Sequence, residues 1–127
     1  METAMQVLAV IQFIVIGMSH ILQPRAWAEF FIWLQGQGHA GVFVNGFLSL
    51  VPGSLIVSFH NVWTGIPTVL TVMGWAQVVK ALICFWAPAV GMRSIRQVSL
   101  ERAHRFVYAG IVFVALGALL GCALLMR

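Results

Sequence analysis

The chain has 127 residues, 61% of them hydrophobic and 8% charged, with a formal net charge of +4. A mean hydropathy of +0.99 excludes an ordinary water-soluble domain and makes the bilayer the main solvent. The positive balance does not point to nucleic acid. Arg25 and the group Arg93, Arg96, Arg102 and Arg105 lie in short connections, and no basic region interleaved with aromatics accompanies them.

Four apolar stretches organise the sequence, at about residues 3–22, 41–59, 68–87 and 106–126. Each approaches the ~20 residues that a helix needs to cross ~30 Å of hydrocarbon. The expected architecture is all-α: a single domain of four transmembrane helices with one short interfacial amphipathic helix. The first stretch follows Met1-Glu2 without a basic leader and is long for a signal-peptide core, so it reads as a retained span. Gln23-Pro24 interrupts it, and proline is well placed to open a new helix. From Pro24 to Gln35, Trp27, Phe30, Phe31 and Leu34 recur at helical spacing opposite Arg25 and Glu29, which predicts a helix lying on the membrane surface.

The second stretch carries Pro52-Gly53 near its middle, where a kink or short break is expected because proline lacks an N–H and crowds the Leu48 carbonyl. Asn61 and Pro67 bracket the turn into the third stretch. Ser99 reads as an N-cap for the last helix, with Glu101 in its first turn. Five Lys or Arg residues fall in the first-to-second and third-to-fourth connections and only Arg127 on the other side. The positive-inside rule then places those connections in the cytoplasm and both termini outside.

Candidate functional residues are few. Lys80 is the only Lys or Arg inside a span, with Gln77 one turn before it and Cys84 one turn after. A cation at a helix centre costs about 2.5–3.5 kcal/mol on the insertion scale, so it pairs, lines an aqueous path or snorkels to the headgroups. Asn45 is a second intramembrane polar group, and Gln12, Ser19 and Gln23 share a stripe of the first span; such groups most often bond neighbouring helices. His20, His39 and His104 fall at one membrane side, where a pair would ligate haem and three would hold a metal. No metal or haem-attachment spacing accompanies them, so no cofactor is predicted. His60 lies at the opposite side, where a helix C-terminus favours its protonated form. Gly110, Gly117 and Gly121 form a small-residue track for close helix packing, against a helix of this chain or another. Cys84 and Cys122 differ in depth by about 20 Å in an antiparallel bundle, against the ~7 Å that a disulfide tolerates, so both are expected as free thiols.

The runs Gly17-Met18-Ser19-His20, Gln23-Pro24-Arg25-Ala26-Trp27, His60-Asn61-Val62-Trp63 and Gly74-Trp75 resemble a group of small uncharacterised bacterial four-span integral membrane proteins. The resemblance implies a bacterial inner (cytoplasmic) membrane and carries no catalytic residues with it. The sequence therefore points to a non-enzymatic accessory or assembly subunit, whose partners are the lipid bilayer and other membrane subunits or itself. Two alternatives compete: a small homo-oligomeric transporter or channel using Lys80, and a haem- or quinone-associated redox subunit using the histidines.

Overall fold

The computed structural model describes residues 2–126, and among them the regular structure is all helical, with no strand. Four long helices are α1 (Glu2–Leu22), α3 (His39–Phe59), α4 (Thr68–Trp86) and α6 (His104–Leu125), each long and apolar enough to cross a membrane. Two short helices lie between them, α2 (Pro24–Gly36) and α5 (Pro88–Arg96), with a 3-10 turn at Leu100–Arg102 before α6.

Local chemistry sets the boundaries. Pro24 and Pro88 each sit at the first position of a short helix, where the missing N–H has no intrahelical partner to lose. Gly38, at φ 63°, turns the chain from α2 into α3 in a left-handed conformation that a side chain would resist. Just beyond it, Gly41 faces the Leu34 carbonyl so closely that any Cβ would overlap it. α3 then runs continuously through Pro52. Proline removes the bond to Leu48 without ending the helix, because the flanking apolar turns still have no water to bond with.

The long helices associate as two close pairs, α1 along α6 and α3 along α4. In lipid no hydrophobic effect separates helix–helix from helix–tail contact, so proximity is set by packing and by what small residues permit. Both pairs use glycine. A Cβ at Gly110 would lie 2.5 Å from the Gly17 carbonyl oxygen, and one at Gly17 would lie 2.9 Å from the Gly110 oxygen. In the other pair Gly53 meets the backbone of Val78, while Gly74 receives Ile56. The pairs meet near the chain termini around Ala9, Leu70 and Leu120, with Val10, Phe13 and Ile56 against them. At the opposite end Val42, Cys84, Met92 and Ile95 form a second cluster under α5.

Two sequence expectations differ from this fold. The third-to-fourth connection contains a second amphipathic helix, α5, which buries Gly91, Met92 and Ile95 and carries Arg93 and Arg96 in its last turn. Its apolar side is too short to stand out among arginines. Ser99 precedes the 3-10 turn with no side-chain capping bond, and Ala103 occupies the N-cap of α6. The turn supplies the backbone pairing in its place, through Arg102 N to Ser99 O and Ala103 N to Leu100 O.

Candidate functional site

The spans contain three polar centres, built in different ways. The first surrounds Lys80. The inward face of α4 is Leu70, Thr71, Gly74, Ala81 and Cys84, all buried. Its outward stripe is Val72, Trp75, Val79, Leu82, Ile83 and Trp86, exposed and spaced as one helix face. Lys80 is exposed on the flank between them, beside the Cys84 position, while Gln77 is half-buried and packs at Gly53. Asn45 is 5% exposed and sits on the inward face of α3 with Gly46 and Ser49. The three residues therefore do not share an orientation: Asn45 is buried on α3, Gln77 borders the α3–α4 seam and Lys80 lies at the outer surface. The carboxylates of the chain, Glu2, Glu29 and Glu101, all lie at helix ends or in a short segment, and Glu29 already pairs with Arg25 at 3.3 Å. Among the described residues no ion pair engages Lys80.

The second centre is His20, the last buried residue of α1. Its Nδ1–H donates to the Ile16 carbonyl at 2.8 Å, which fixes the ring's orientation at the end of the helix. The ring stacks on Trp27 at 4.2 Å, and Phe106 and Phe113 stand 5.7 and 5.6 Å away. Trp27 is held in turn by its indole N–H donating to Ser19 Oγ at 2.9 Å. This aromatic enclosure fixes the α1–α2 corner against α6. His39 and His104 do not join it: both are exposed, and His104 lies edge-on to Tyr108. Among the described residues no group of three His, Cys, Asp or Glu side chains gathers as a metal set.

The third centre was not singled out from the sequence. His60 caps α3 and is fully buried, with its ring turned inward. Gln6 Nε2 lies 3.0 Å from His60 Nε2, and His60 Nδ1 lies 3.0 Å from Thr71 Oγ1. The Thr71 hydroxyl donates to the Val62 carbonyl at 2.8 Å and accepts from the Val62 N–H at 3.1 Å. With its amide nitrogen turned to the ring, Gln6 donates to Nε2, and Nδ1–H then donates to the Thr71 hydroxyl. Gln6, 1% exposed near the start of α1, links the two helix pairs through this ring. A glutamine within an apolar run and a polar turn 54 residues later carry no local signal of their pairing.

Two of the three glycines of the track are absorbed inside the chain. Gly110 and Gly117 are buried against α1, the latter meeting Ile14 and Phe13, whereas a Cβ at Gly121 would find only Val10, at 3.7 Å. Both cysteines are free thiols, Cys84 buried and Cys122 exposed. Comparison with protein-family models, with curated proteins and with solved structures found no match.

Proposed function

We propose that this protein is a non-enzymatic accessory or assembly subunit that docks α4 against a larger complex in a bacterial inner membrane. The observation that carries the reading is the exposed position of Lys80 beside a continuous outward stripe of α4. A lone cation at that depth is stabilised most by a carboxylate or carbonyl of a neighbouring helix. Its exposed placement, while Asn45 is buried, weighs against a substrate path through one copy of the chain. The small residues that bring helices close are already used within the pairs, so the remaining apolar surface serves lipid and partner helices. In this arrangement the arginine-bearing connections face the cytoplasm and both termini face outward.

Affinity purification in mild detergent, followed by mass spectrometry, tests the reading with Lys80→Met as the comparison. The substitution keeps stem volume and removes the charge. A defined set of larger membrane subunits should copurify with the native chain and be lost with Lys80→Met at equal expression. A purified homo-oligomer that moves an anion across proteoliposomes, and stops doing so in Lys80→Met, would establish the transporter reading in its place. The redox reading has one specific observation in its favour, the buried His20 ring held through Nδ1 inside an aromatic enclosure. A haem Soret band in the purified protein that disappears with His20→Ala would establish it.

A further inference from the structure

The arginine-rich end of the molecule holds a cavity that none of the three polar centres uses. It lies between the end of α5 and the start of α6, has a volume of about 210 Å³, and is lined by Ser94, Gln97, Val98, Arg102, Arg105 and Phe106, with Ala109 at its inner side. Its surface is mainly apolar, with exposed polar residues at the rim. Arg102 and Arg105 supply fixed positive charge, and Ser94 and Gln97 supply neutral hydrogen-bonding groups. Val98, Phe106 and Ala109 form an apolar wall that continues along α6 into the span.

The walls are held in place. Gln35 of α2 donates to the Ile95 and Val98 carbonyls at 2.7 and 3.1 Å, clipping the end of α5 against α2. Arg102 reaches the Gln97 carbonyl at 3.4 Å across the turn. Phe106 stacks on Phe31 of α2 and stands against His20. Of the carboxylates at this end, Glu29 is engaged by Arg25, so Glu101 is the acidic side chain left beside Arg93, Arg96, Arg102 and Arg105.

We propose that this cavity binds the phosphodiester headgroup of an anionic glycerophospholipid, with the first part of an acyl chain along Phe106 and Ala109. Guanidinium groups match phosphate oxygens in geometry and charge. The apolar wall descending from the charged rim matches a molecule whose phosphate is joined to hydrocarbon, and it gives a free anion nothing to bind. The site stands independently of the accessory-subunit reading.

Native mass spectrometry of the detergent-purified full chain, titrated with phosphatidylglycerol or phosphatidylcholine of the same acyl chains, tests the proposal. The native chain should retain phosphatidylglycerol preferentially. Arg102→Gln/Arg105→Gln should lower that retention roughly thirtyfold, the factor expected for two headgroup-facing cations. Arg93→Gln/Arg96→Gln, which removes as much charge outside the cavity, should keep it within about threefold of the native value. Ala109→Leu fills the inner side without touching a charge and should also lose the lipid, with unchanged far-UV helicity showing that the fold survives. Equal retention of the two lipids would overturn the proposal. So would equal losses in the two arginine pairs, which would mean diffuse attraction, or displacement by inorganic phosphate at matched phosphorus concentration, which would mean a free-anion site.

Discussion

A single methyl group separates two kinds of glycine on α6. At Gly110 an added Cβ would stand 2.5 Å from the Gly17 carbonyl oxygen, 2.8 Å from Ile21 and 2.9 Å from the His20 Cβ. The oxygen belongs to the backbone of α1 and cannot rotate away, so relief requires the helices to move apart along their length. At Gly121 the nearest atom is Val10 Cγ1 at 3.7 Å, an ordinary contact. Replacing glycine by alanine gains about 0.5–1 kcal/mol of helix propensity at either position, and that gain cancels when the variants are compared. Forced overpacking costs about 1–3 kcal/mol and applies at Gly110 alone. Gly110→Ala should therefore be less stable than Gly121→Ala by about 1–3 kcal/mol, with Gly121→Ala at or slightly above the native value. Reversible unfolding in mixed micelles, followed by far-UV circular dichroism and tryptophan fluorescence, measures the difference. Equal stability of the two variants, or a larger loss at Gly121, would refute the close α1–α6 approach.

Three further outcomes follow from the same geometry. His60→Leu leaves the buried Gln6 amide without its ring partner and should cost about 1–3 kcal/mol, part of which Gln6→Leu/His60→Leu should recover in the same unfolding assay. Reporter fusions should place both termini on one side of the membrane and residues 93–105 on the other, with the latter in the cytoplasm; termini on opposite sides would contradict a four-span fold. Reducing and non-reducing gels should show the same monomer mobility, since Cys84 is buried near the end of α4 and Cys122 is exposed near the end of α6, and an intramolecular bond would invalidate the helix depths.

The spans were legible because their signal is local and redundant: some twenty apolar residues in succession leave a helix little alternative. Boundaries set by one residue, such as Pro24 opening α2, were legible for the same reason. α5 escaped because its apolar side amounts to Gly91, Met92 and Ile95, too little to show periodicity against four neighbouring arginines. The polar centres needed the fold itself. Nothing near Gln6 announces His60 as its partner, and the direction in which Lys80 points depends on which side of α4 meets α3. The histidines at one end looked equivalent in depth, yet only His20 turns inward, because Trp27 and Phe106 close over it while His39 and His104 occupy first turns facing out.

Photo-crosslinking from the outward stripe of α4 in intact membranes tests the docking of this helix most directly. A photoreactive residue at Val79, exposed on that stripe, should form one defined adduct with a different membrane protein. The same residue at Val15, exposed on α1 away from α4, should not form it. Lys80→Met should remove the Val79 adduct without lowering the amount of the protein. Adducts only to lipid or to a second copy of this chain, or a Val79 adduct unchanged by Lys80→Met, would contradict the account.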